Sequence, residues 1–153
     1  GSGDGEFSIP AGIAVAADGN VYVAVANEDT GSDRIEQYTS EGVYVGRWDC
    51  TKSYIFQALR CVTVSPDGSV YTADNERIEK FDRNGFFEPW YPYGYDPINE
   101  KTGHPTRVFI GLAAGPDGSV YGYDAFGSPW KVQKYTSEGV IVSQWGRHGK
   151  GDG

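Results

Sequence analysis

Gly12-Ile13-Ala14-Val15-Ala16-Ala17-Asp18-Gly19-Asn20-Val21-Tyr22 is a stretch that the chain uses three times. It returns as Cys61-Val62-Thr63-Val64-Ser65-Pro66-Asp67-Gly68-Ser69-Val70-Tyr71 and as Gly111-Leu112-Ala113-Ala114-Gly115-Pro116-Asp117-Gly118-Ser119-Val120-Tyr121. The Asp-Gly pairs begin at Asp18, Asp67 and Asp117, so the period is 49 and then 50 residues. Self-similarity at such a period marks a repeat architecture, in which each unit buries its apolar face against the next.

A second block recurs downstream. Arg34-Ile35-Glu36-Gln37-Tyr38 precedes Thr39-Ser40-Glu41-Gly42-Val43, and Arg77-Ile78-Glu79-Lys80-Phe81 precedes Asp82-Arg83-Asn84-Gly85-Phe86. Lys131-Val132-Gln133-Lys134-Tyr135 precedes Thr136-Ser137-Glu138-Gly139-Val140. Each unit then reaches a tryptophan, Trp48, Trp90 or Trp145. Asp-Gly is the strongest short hairpin signal, and Val, Ile and Tyr favour strands. Each unit therefore reads as four short strands, with no segment of helical period. Four strands in a repeat of roughly 40–50 residues predict an all-β propeller. The blades are expected at about residues 6–50, 58–91 and 106–146 of a single segment, 1–153.

The chain resembles the NHL-repeat β-propeller family along essentially its whole length. The residues that carry the resemblance are Gly3-Asp4-Gly5-Glu6-Phe7 with Pro10, Gly12-Ile13-Ala14-Val15, Asp18-Gly19-Asn20-Val21-Tyr22-Val23, Asp33-Arg34-Ile35 and Trp145-Gly146. The loop before the Arg-Ile strand departs from the family's Asp-x-x-Asn-x-Arg pattern. It is lengthened over residues 26–33 and shortened to Asp74-Asn75-Glu76-Arg77. In the third unit it reads Asp124-Ala125-Phe126-Gly127-Ser128-Pro129-Trp130. The resemblance implies a six-bladed ring, of which three blades are half. Gly149-Lys150-Gly151-Asp152-Gly153 echoes Gly1-Ser2-Gly3-Asp4-Gly5, where a fourth blade would begin. Two exposed edges invite pairing, so a head-to-tail homodimer closing the ring is expected.

Composition narrows the partners. The chain has 153 residues, 39% of them hydrophobic, and a net charge of -8. Only 13 residues are Lys or Arg, and they form no cluster, which argues against nucleic acid and anionic membrane surfaces as partners. No apolar run approaches the roughly 20 residues of a membrane span. The first residues carry neither a basic nor an apolar segment, so no signal peptide is expected. The absence of methionine suggests a processed or excised piece, with Gly1-Ser2 as a cloning scar.

Length varies only in the loops on the face opposite the Asp-Gly and Glu-Gly turns. Variable loops on a rigid scaffold are where binding usually resides. The candidate binding residues are Trp90, Tyr91, Tyr93, Tyr95, His104, Phe126 and Trp130. Their aromatic faces and polar tips suit a peptide, protein or carbohydrate ligand. The competing reading is that the rings pack the long loop, residues 91–107, against the blades.

No catalytic residue, cofactor or metal site is expected. A catalytic zinc needs about three protein ligands, and the only histidines are His104 and His148, at unmatched positions. The Asp-Gly carboxylates are explained by turn geometry rather than by calcium. Cys50 and Cys61 flank an inter-blade loop, and a Cys50–Cys61 disulfide is expected there, the alternative being two unpaired thiols. Such a bond implies an oxidising compartment, hence an extracellular or cell-surface location. The function expected is a non-catalytic interaction scaffold. The alternative, implied by the family's lyases and lactonases, is a lyase or hydrolase whose metal-assisted site forms only in the full ring.

Overall fold

Short runs rich in Val, Ile, Ala and aromatic residues, interrupted by Gly-containing turns, produce twelve strands and no other regular element among the described residues. The computed structural model describes residues 3–27, 32–50, 59–74, 78–88, 90, 109–124 and 130–146. The first sheet holds β1 (Ile9–Val15), β2 (Val21–Ala26), β3 (Arg34–Tyr38) and β4 (Tyr44–Asp49). The second holds β5 (Cys61–Val64), β6 (Val70–Ala73), β7 (Ile78–Phe81) and β8 (Phe87–Glu88). The third holds β9 (Phe109–Ala114), β10 (Val120–Asp124), β11 (Lys131–Tyr135) and β12 (Ile141–Trp145). Each sheet is an antiparallel meander in sequence order, which is the build of a propeller blade.

The turns follow one scheme. Gly19 N–H donates to the Ala16 carbonyl at 3.0 Å, and Ala16 N–H donates to the Asn20 carbonyl at 2.9 Å. This closes a three-residue loop whose last position, Gly19, has φ +87°, a conformation open to glycine without steric cost. The Asp18 carboxylate accepts the Asn20 N–H at 3.0 Å. Asp67 and Asp117 do the same for Ser69 and Ser119. The recurring Asp is therefore a turn-forming residue, as the spacing implies.

The innermost strands β1, β5 and β9 line up side by side. A Cβ added to Gly12 on β1 would lie 2.9 Å from the Cα of Cys61 on β5, so glycine allows the two backbones to approach. The pleat then sends alternate side chains into two seams. Tyr22, Ala24, Ala26 and Ile35 of the first blade meet Val62, Val70 and Phe81 of the second. Cys61, Tyr71, Ala73 and Ile78 of the second blade meet Phe109, Val120 and Tyr135 of the third.

The aromatic positions of the repeat organise both seams. In the first, Trp48 and Tyr22, with ring centroids 5.5 Å apart, receive Phe81, which stacks on Trp48 at 6.3 Å. In the second, Trp90 and Tyr71, 5.4 Å apart, receive Tyr135 edge-on to Trp90 at 5.5 Å. The closing tryptophan of one blade thus forms half of a notch for the β3-type aromatic of the next.

The expected Cys50–Cys61 disulfide is not present, and both cysteines are free thiols. Cys50 packs against the first seam, whereas Cys61 belongs to the second. Cys61 and its neighbour Val62 point to opposite faces of the second blade, so the two thiols belong to different seams.

Candidate functional site

The residues expected to bind ligand fall into three groups. Tyr91, Tyr93, Tyr95, His104 and Phe126 lie outside the described residues. Trp130, just before β11, exposes 49% of its surface. Trp90 is buried in the second seam, and its indole Nε1–H donates to the Ser137 carbonyl at 2.9 Å. That ring is structural and offers no accessible platform.

Polar side chains that the repeat leaves unexplained turn out to tie the first blade together. Asp33 accepts the Asn27 N–H and the Leu59 N–H, both at 2.8 Å, which links the β2–β3 loop to the start of the second blade. The buried Glu36 pairs with Arg34 at 2.7 Å and accepts the Tyr38 hydroxyl, while Arg34 also donates to the Glu6 carbonyl. A buried ion pair is tolerated only when its remaining donors and acceptors are satisfied, and here the added partners do so.

A groove of about 300 Å³ opens on the Asp-Gly-turn face between the first two blades, a location that the pattern of loop lengths did not suggest. Asp18, Asn20, Tyr22, Gln37, Asp67 and Arg83 contribute to its walls. The Tyr22 hydroxyl accepts a hydrogen bond from Gln37 at 3.1 Å, and burial together with the Asp18 carboxylate raises its pKa. Burial alone would raise the pKa of Asp67, but hydrogen bonds from Ser65 and Ser69 outweigh it and hold the carboxyl below its usual range. Arg83 donates to the Asp67 carbonyl. The walls thus offer a neutral phenol and a carboxylate that stays ionised, neither of which exchanges protons near neutral pH. Their turn roles account for most of these groups. The sequence signal for the groove is only the side-by-side placement of two Asp-Gly turns.

The thiols are also poor nucleophiles. Burial, reinforced by the Glu79, Asp33, Asp74 and Asp49 carboxylates, pushes the Cys50 thiol well up, and burial pushes Cys61 up to about 11. A thiol held protonated does not attack. Among the described residues, no three His, Cys, Asp or Glu side chains come together to hold a metal ion.

Comparison with known proteins places the fold. No protein-family model and no curated protein matches the chain. Among solved structures, the chain is similar to a calcium-binding protein, regucalcin, from Agrobacterium tumefaciens, at 15% identity and a TM-score of 0.61 over 90% of this chain and 45% of that one. It is similar to a gluconolactonase from Xanthomonas campestris at 13% identity and 0.58, over 90% and 46%. It is also similar to a chain of a nidogen/laminin complex at 17% identity and 0.57, over 88% and 48%. The chain spans about half the length of these structures. At such identities the likeness concerns the fold alone, and it agrees with the three antiparallel sheets. The chain is three four-stranded antiparallel blades with the architecture of a half β-propeller.

Proposed function

We propose that the chain is a non-catalytic interaction scaffold of the NHL-repeat type, whose ring is completed by a second copy. On this reading it binds a peptide, protein or carbohydrate ligand on the loop face carrying Tyr91, Tyr93, Tyr95, His104, Phe126 and Trp130. The observation that carries the proposal is the division of labour among the tryptophans. Trp48 and Trp90 are committed to seams by the repeat. Trp130 falls outside the repeated aromatic positions and keeps 49% of its surface exposed at the start of β11, on that loop face. An exposed indole on a rigid scaffold is a usual anchor of a recognition surface. With both thiols free, the expected extracellular location loses the support of a disulfide.

The test is to probe arrays of glycans and of short peptides with the unmodified chain and with Trp130→Ala. The expected result is at least one ligand whose binding Trp130→Ala weakens tenfold or more. Binding lost in Arg83→Ala but unchanged in Trp130→Ala would move the site to the groove on the opposite face and overturn the assignment. A transition metal bound at one equivalent per chain, with lactone or lyase turnover that a chelator abolishes, would overturn the non-catalytic reading.

A further inference from the structure

Deepening the proposed ring closure, on which it rests, we propose that the open face of the third blade is a preformed notch for the first blade of a second copy. In that seam Tyr38 enters between Tyr121 and Trp145, and the Trp145 indole donates to the Ser40 carbonyl.

The template is the second seam inside the chain. There Tyr71 and Trp90 stand edge to face, 5.4 Å apart at 70°, and Tyr135 fills the space beside them. Tyr121 and Trp145 repeat that arrangement on the third blade, 6.2 Å apart at 70°, but Trp145 is 49% exposed where Trp90 is 4% exposed. A lysine lies over the tyrosine in both places, Lys80 over Tyr71 at 6.0 Å and Lys134 over Tyr121 at 5.4 Å. The notch is therefore built, and Trp145 stands half-exposed at its open side among the described residues.

The first blade carries the matching surface. Thr39-Ser40-Glu41-Gly42-Val43 is identical to Thr136-Ser137-Glu138-Gly139-Val140, the turn whose Ser137 carbonyl already receives Trp90. The two turns share their internal hydrogen bonds as well. The threonine Oγ1 accepts the Glu N–H at 3.2 Å and the Val N–H at 3.3 Å in each, and the serine hydroxyl donates to the glutamate at 2.6 Å. Tyr38 and Tyr135 each donate their hydroxyl to the side chain two residues earlier, Glu36 and Gln133. The first blade thus presents the groups that the third blade uses to dock on the second. Ile13 on the innermost strand is 70% exposed, whereas its counterpart Val62, inside a seam, is 5% exposed.

Charge agrees with this pairing. Hydrogen bonds from Ser137 and Thr136 hold the Glu138 carboxyl below its usual range, with a minor contribution from Lys80 across the existing seam; Lys80 itself bridges Glu88 and Lys134 bridges Asp117. Across the new seam the pair corresponding to Lys80 and Glu138 is Lys134 with Glu41 of the second copy. A half-ring offers one notch and one docking face, so two copies satisfy both and close.

Sedimentation velocity of the full chain at micromolar concentration tests this. The unmodified chain is expected at twice its 16.7 kDa mass. Trp145→Ala and Tyr38→Ala are each expected to raise the dimer dissociation constant a hundredfold or more. Trp145→Phe keeps the ring, loses only the donor and tests the notch even if Trp145→Ala folds poorly; its expected effect is about tenfold. Mixing Trp145→Ala with Tyr38→Ala chains regenerates one native seam and is expected to restore dimer. An unmodified chain that sediments as monomer, or as open polymers, overturns both this inference and the ring closure beneath it. A dimer indifferent to both Trp145→Ala and Tyr38→Ala overturns the seam alone and leaves closure through another surface.

Discussion

Replacing Trp90 with alanine separates a seam residue from a ligand platform. The ring is 4% exposed, contacts Tyr71 and Tyr135, and donates its indole N–H to Ser137. Truncating a buried Trp to Ala costs about 3–5 kcal/mol through lost burial and the cavity left behind. The orphaned Ser137 carbonyl lies in a surface turn where water can reach it, so the lost hydrogen bond adds only about 1 kcal/mol. Trp90→Phe keeps most of the packing and should cost about 1–2 kcal/mol. Small domains have about 5–15 kcal/mol in total, so Trp90→Ala should remove a third or more of the stability. Urea unfolding followed by far-ultraviolet circular dichroism, run at a concentration where the chain is monomeric, measures the difference. Trp145→Ala under the same conditions should stay within about 1 kcal/mol, because that ring is half exposed. A Trp90→Ala cost below about 1 kcal/mol would refute the packing argument and return Trp90 to the accessible surface.

Gly12→Ala should destabilise by about 1–3 kcal/mol in the same assay, because its Cβ meets the Cys61 backbone rather than a movable side chain. Asp33→Ala strips the acceptor from the buried Asn27 and Leu59 N–H groups and should cost about 3 kcal/mol, and Asp33→Asn, which keeps one oxygen, less. Without reductant, the native protein should take up iodoacetamide slowly at pH 8 and the unfolded protein should take up two equivalents by mass spectrometry; one crosslinked species would contradict the free thiols. Because the Cys61 pKa is raised from 9.0 to about 11, its contribution to stability is complete below pH 9 and falls away as the pH rises toward 11. Cys61→Ala should flatten that part of the pH profile. Single-stranded RNA and duplex DNA should show no salt-sensitive binding below about micromolar, given the charge of -8.

The fold was legible because its signals are local. Asp18-Gly19, Asp67-Gly68 and Asp117-Gly118 each form the turn that the spacing implies, and the Tyr and Trp positions recur in register. What escaped is set by which face a side chain takes and by what stands opposite. Cys50 and Cys61 are near in sequence, yet a one-residue change of parity along β5 assigns Cys61 to the second seam, while Cys50 packs against the first. Trp48, Trp90 and Trp145 occupy the same place in the repeat but differ in exposure, because among the described residues another blade packs against only the first two. Trp90, which its place at the base of the long loop assigns to the ligand surface, is the wall of a seam. Asp33 belongs to the Asp33-Arg34-Ile35 motif, but its role in tying two blades together is not legible there, since its partner Leu59 is 26 residues away.

Native mass spectrometry of the unmodified chain at about 10 µM tests the central claim, a half-propeller that closes on a second copy, most directly. The account predicts a dominant species at twice the 16.7 kDa chain mass, with little monomer and nothing larger. A dominant 16.7 kDa species, stable with both open faces in solvent, would contradict it.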